Sequence, residues 1–186
     1  MCFVVTTRSV RIFFCVLLAA AAVSARAQVV PAASSRTLAI DAGGLGSVFQ
    51  PDYAGEGIAQ TSPNRLYGFG AYVDARFSRW VQIEAEGRWL HYNQYLGIDE
   101  NSYLIGPRVP IHNFHGWTPY GKVLFGWESG SFLSGRAGAI AFGGGVDYRL
   151  TRKLTLRAFD FEYQRLSVTP TLQPYGGSVG ISYRVF

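Results

Sequence analysis

VQIEAEGRW, residues 81–89, alternates without a slip: Val81, Ile83, Ala85 and Trp89 share one parity, while Gln82, Glu84, Glu86 and Arg88 share the other. In a soluble sheet the apolar parity is the core and the charged parity faces water. In a membrane barrel that assignment inverts, with apolar side chains on lipid and polar ones inside. The local pattern is the same in both cases, so the rest of the chain must decide.

Eight segments carry this period-two alternation, over residues 37–46, 65–77, 80–91, 103–111, 117–128, 139–150, 154–164 and 175–186. Clusters of glycine, asparagine, serine and proline interrupt them, and none has the apolar spacing of a helix. Their connections segregate by length. Residues 78–79, 112–116 and 151–153 are tight turns, whereas 47–64, 92–102, 129–138 and 165–174 are long loops. An even-stranded meander whose two ends meet different environments gives this pattern. Strand length agrees, because membrane strands need about 9–11 residues and globular strands cluster near 5–6. The sequence therefore predicts an all-β fold: an eight-stranded antiparallel up-and-down transmembrane β-barrel.

On that reading one parity faces lipid, with Tyr67, Phe69, Ile105, Val123, Phe125, Phe142, Val179 and Ile181 among its members. The other parity lines a polar interior, for which we expect a network of Asp41, Asp74, Arg76, Glu84, Glu86, Arg88, Arg108, Lys122, Asp147, Arg149, Arg157, Asp160 and Glu162. Unpaired, such charges would be costly in a confined space. They are expected to form ion pairs, with Tyr72 and Tyr120 among them. The interior is then either a plug of structural pairs, which we favour, or a gated narrow channel. Gly68, Gly70, Gly143 and Gly145 share the inward parity, which suggests close approach by another side chain. In LTLRAFDFEYQ, residues 154–164, Leu154 and Leu156 share parity with Asp160 and Glu162. A β-bulge near Ala158 would restore acids inward and Phe159, Phe161 and Tyr163 outward.

Tryptophans supply a ruler. Trp117 and Trp127 lie ten residues apart on the apolar parity, which at about 3.3 Å per residue and a tilt near 40° spans roughly the 25 Å between aromatic girdles. Trp89, Trp117, Trp127 and Tyr148 are the expected girdle.

The ends and the charge fit an exported protein. Arg8 and Arg11 precede an apolar run over residues 12–23, followed by Ala25-Arg26-Ala27. This is the layout of a secretory signal peptide over residues 1–27, leaving a barrel domain over residues 28–186. Both cysteines, Cys2 and Cys15, lie in the expected leader, so no disulfide framework is available. Loss of Arg8, Arg11 and Arg26 takes the formal charge from +5 to +2. That balance does not suggest nucleic-acid binding.

PYGKVLFGW, AFGGGVDYRLTRKLTLRAFDFEYQ and the final GGSVGISYRVF resemble strands five to eight of the OmpA-like outer-membrane β-barrel domains. The resemblance implies a barrel in the outer membrane of a Gram-negative envelope, inserted by the barrel-assembly machinery through a C-terminal aromatic that Phe186 matches. The spacing departs from the family, because Val179, Ile181, Tyr183 and Val185 do not share parity with Phe186. With Phe186 as the last residue, the periplasmic peptidoglycan-binding domain of longer relatives is not expected.

A lipid A-modifying hydrolase of similar size would need a serine, a histidine base and an orienting carboxylate. His112 and His115 fall in a tight turn, and His91 is followed by Tyr92-Asn93 with no serine two residues on. We therefore expect no enzyme, no metal site and no cofactor. Asp52, Glu56, Asp99 and Glu100 are read as acidic loop residues, and Arg65, Arg136 and Arg165 as cations at the outward strand ends. Those arginines suit lipopolysaccharide phosphates. The expected protein is a monomer in contact with outer-membrane lipid and lipopolysaccharide. Its expected role is structural or surface-interactive, with a narrow porin as the alternative.

Overall fold

The structure is a computed structural model that describes residues 38–52, 64–78, 80–94, 96–131, 133 and 135–186. The expected signal peptide, Glu56 and Arg79 lie outside the described residues. Eight strands follow in order: β1 (Ala39–Gln50), β2 (Leu66–Arg76), β3 (Gln82–Tyr92), β4 (Glu100–Pro110), β5 (Trp117–Gly130), β6 (Arg136–Arg149), β7 (Leu154–Leu166) and β8 (Tyr175–Arg184). Each pairs antiparallel with the next, and β1 pairs with β8 to close the barrel. Closure leaves no open edge, which is the condition for a sheet to cross a bilayer. The last residues extend the seam beyond β8, since the Ile40 N–H donates to the Phe186 carbonyl at 2.9 Å.

The turn end is built by local side-chain chemistry. The Ser78 hydroxyl accepts from the Trp80 and Val81 amides between β2 and β3. Thr151 does the same for Lys153 and Leu154 between β6 and β7. Between β4 and β5, His115 and Gly116 adopt φ of 52° and 92°, the left-handed conformation in which glycine carries no steric cost.

Strand bounds at the loop end differ from the sequence reading. β4 begins at Glu100, β5 runs on to Gly130, and β6 starts at Arg136. Short polar runs there lack alternation, yet the ladder continues through Glu100↔Gly130, Asn101↔Ser129 and Ser129↔Arg136. Backbone pairing with a neighbour carries strands past the end of their apolar pattern. Glu100 is accordingly not a loop residue; it lies in β4 and is buried. The ladder slips at Ala158, since Val146 pairs with Phe159 and Asp147 with Arg157. Asp160 and Glu162 are thereby buried while Phe159 and Phe161 are exposed. A second irregularity adds His91 to β3 between the Tyr67↔Tyr92 and Gly68↔Leu90 pairs.

Candidate functional site

The inverted parity is explicit in VQIEAEGRW itself. Glu84 and Arg88 are 0% exposed, whereas Val81 is 44% exposed. Outward-facing Phe69, Ile105, Phe125, Phe142, Phe159, Val179 and Ile181 are all exposed as well. An apolar wall of this extent would be untenable in water and is what a hydrocarbon environment requires.

Inside, the charges gather around Lys122. Its ammonium lies 3.0 Å from Glu84, 3.1 Å from Glu86, 2.7 Å from Asp160 and 3.0 Å from Glu162. Arg157 reaches Glu84 at 2.7 Å and Asp74 at 3.3 Å. Arg108 bridges Asp74 at 2.6 Å and Asp147 at 2.5 Å. Arg88 pairs with Glu162 at 3.1 Å and also with Glu86. The Tyr120 hydroxyl also donates to Asp160, and the Gln164 side-chain amide to Glu162. Buried ions persist only when paired and hydrogen-bonded in this way. Arg157 also stacks 3.7 Å over the Tyr72 ring and Arg108 lies 3.6 Å over Tyr120, so cation–π contacts replace part of the lost hydration.

Glycines make room for this layer. A Cβ on Gly145 would sit 2.7 Å from the Tyr120 hydroxyl oxygen, and one on Gly143 would sit 3.2 Å from Lys122 Cε. The carboxylates of Glu86, Asp160 and Glu162 converge within 4.8 Å of one another. Lys122 stands within 3.1 Å of all three, in the position where a metal cation would otherwise sit.

Three of the expected network residues stand apart from this layer. Asp41 pairs with Arg76 at 3.4 Å and with Arg184 at 3.0 Å at the turn end, and Arg149 is exposed there. Arg76 and Arg149 are the last residues of β2 and β6, and Asp41 lies two residues inside the start of β1, so their side chains stand at the mouth. The interior is also not polar throughout, as the sequence reading had it. Toward the loop end, Leu104, Leu124, Ala137, Ala139, Ala141, Leu166 and Leu172 form one buried apolar cluster, and Phe49, Leu66, Leu90 and Ile98 form another. Arg88 marks the boundary, 4.2 Å over the Phe49 ring. The signal was present in the sequence, since Leu90, Leu124 and Leu166 follow Arg88, Lys122 and Gln164 on the charged parity.

At the girdles, Trp117 lies against Tyr148 with ring centroids 4.6 Å apart near the turn end. Near the loop end, rings run continuously from Phe69 to Trp89, Tyr103 and Trp127 at 6.0, 6.2 and 5.9 Å. Arg136 lies 5.8 Å over Trp127. Arg65 and Arg165 are exposed, and neither has an acidic partner among the described residues. Loop bases are tied together: the Ser131 amide donates to Asp99 at 2.7 Å and the Gln173 amide to Asp52 at 3.0 Å. His91 offers Nδ1 to Asp99 at 3.4 Å and Nε2 to Asn101 at 2.8 Å. Among the described residues no serine hydroxyl is bonded to His91, and Ser131 donates its own to the Gly97 carbonyl.

A closed antiparallel barrel with ion pairs inside, apolar side chains outside and aromatic rings at both ends defines a transmembrane β-barrel. The chain belongs to the outer membrane protein β-barrel domain family, which it matches over residues 14–184. Among solved structures it is similar in fold to Neisserial surface protein A (NspA), with a TM-score of 0.54 and 13% identity over 79% of this chain and 96% of that one. It is also similar to Ail, the attachment invasion locus protein of Yersinia pestis, with a TM-score of 0.50 and 16% identity over 79% and 97% of the two chains. No curated protein is similar enough to this chain to count as a match.

Proposed function

We propose that this protein is a sealed barrel of the bacterial outer membrane whose role is structural or surface-interactive. The observation that carries this reading is the stacking of two water-excluding layers across the lumen. The ionic layer holds Arg88, Lys122, Arg157 and Glu84 fully out of solvent contact. Above it the lumen is filled by the leucine and alanine cluster, with Leu172 and Ile98 contributed from the loops. Opening a path would require breaking several buried pairs at once and displacing an apolar core. The braced loop bases suit a surface that presents loops to an external partner.

On this reading the protein works as a monomer, inserted by the barrel-assembly machinery and surrounded by lipid and lipopolysaccharide. To Arg65, Arg136 and Arg165, which are exposed, we assign contact with lipopolysaccharide phosphates. Planar-bilayer recording tests the proposal. The expected result is no discrete conductance from the purified, folded barrel. Discrete steps that change on Glu84→Gln or Arg108→Gln substitution would replace the sealed barrel by a narrow porin.

A further inference from the structure

Beneath the ionic layer, at the turn end, the lumen widens into a pocket of about 360 Å³ lined by Arg76, Gln82, His112, Asn113, Thr118 and Arg149. Its volume is within the range of small-molecule sites. One inward position deeper on β4 than Pro110, which also lines the pocket, stands Arg108, buried and committed to Asp74 and Asp147. The pocket is therefore blind on the lumen side and open toward the turns.

Its electrostatics are one-sided. Two guanidiniums, those of Arg76 and Arg149, line this mouth, and a third, that of Arg184, shares the Asp41 carboxylate with Arg76. Arg76 lies within electrostatic range of Arg184, Arg149 and Arg108 at once. Asp147, the other acid near the mouth, is engaged by Arg108 at 2.5 Å. Arg149 has no acidic partner among the described residues, and its register partner is the neutral Thr155. Like charges held this close repel unless an anion joins them.

Neutral donors are also in place. The Thr118 hydroxyl oxygen accepts from the Asn113 amide at 2.8 Å, and a hydroxyl that accepts still carries a proton to donate. Gln82 is buried in the pocket wall and forms no side-chain hydrogen bond among the described residues. Two planar guanidinium forks with flanking amide and hydroxyl donors match an oxyanion with several oxygens better than a point charge would.

We propose that this basic vestibule is a binding site for a compact soluble polyanion, of phosphate or carboxylate class, that reaches the barrel from its turn end. The site is separate from the loop-end arginines and needs no open pore.

The test uses the full mature barrel in nanodiscs of zwitterionic lipid, titrated with pyrophosphate and, separately, citrate, while backbone amide signals are followed by NMR. Saturable shifts are expected at His112, Asn113, Gly116 and Thr118 with either probe. The Arg149→Gln variant is expected to bind at least ten-fold more weakly, whereas His91→Gln at the loop end leaves the affinity unchanged. Arg149→Lys is expected to fall between them, because it keeps the charge and loses the fork. Heat-modifiable migration on gels confirms that each variant is folded. Absence of saturable shifts, or equal affinity in Arg149→Gln, overturns the proposal. So does a response that occurs only when the nanodisc contains phosphatidylglycerol, which would make the ligand a lipid headgroup.

Discussion

Replacing Lys122 by methionine is expected to destabilise the folded barrel by about 3–5 kcal/mol, the cost of removing one partner from a buried ionic cluster. The reason is local. Lys122 is within 3.1 Å of four carboxylates, Glu84, Glu86, Asp160 and Glu162, and is itself fully buried. Arg88 and Arg157 already serve Glu162, Glu86, Glu84 and Asp74, so no spare cation can move in. Methionine fills a similar volume and isolates the electrostatic effect from a packing defect. Urea unfolding of the barrel in lipid vesicles, followed by tryptophan fluorescence, measures the loss. Adding Glu86→Gln should recover part of it, because one of the stranded charges is then removed. A double-mutant cycle that shows no such coupling would place Lys122 outside the network.

One residue along, the same kind of charge is expected to fail for the opposite reason. Val123 lies on the lipid-facing parity of β5, between the girdle residues Trp117 and Trp127 and opposite Phe142 in the ladder. Val123→Arg should cost about 2–4 kcal/mol, the penalty for an arginine near the bilayer midplane. The expected phenotype is loss of the heat-modifiable folded band and poor recovery in the outer-membrane fraction. Lys153→Arg, in the turn between β6 and β7, should stay within about 0.5 kcal/mol of the parent as an exposed substitution. Adjacent positions thus need opposite chemistry, a requirement imposed by the pleat once the barrel closes.

Much of this fold is legible in the alternation of the strands, because a side-chain period of two assigns every residue to one of two faces. LTLRAFDFEYQ shows how far such reasoning reaches. Its parity reversal demands an extra residue, and the ladder skips Ala158. Strand ends are harder to read, since Glu100, Ser129 and Arg136 are held extended by neighbouring backbone and not by their own side chains. The apolar upper lumen is harder still. Charges at strand centres set the expectation of a polar interior, while the inward leucines toward the loop end make sense only once seven strands bring them together. Leu172, which caps that cluster from a loop, has no periodicity to mark it. Which acid meets which base was likewise beyond a linear reading. Lys122 and Glu84 lie 38 positions apart, and their contact depends on the curvature of the closed sheet.

The claim on which everything else rests is the inverted orientation of VQIEAEGRW. It is tested most directly by placing single cysteines in turn at positions 81–89 of the mature barrel in lipid vesicles, attaching a nitroxide to each, and measuring its collisions with oxygen and with a nickel chelate. Oxygen, which concentrates in hydrocarbon, is expected to relax the labels at Val81, Ile83, Ala85, Gly87 and Trp89 most strongly, in strict alternation with the positions between them. A pattern in which the nickel chelate, confined to water, favours those same five positions would mean that the apolar face does not meet lipid, and would contradict the transmembrane barrel.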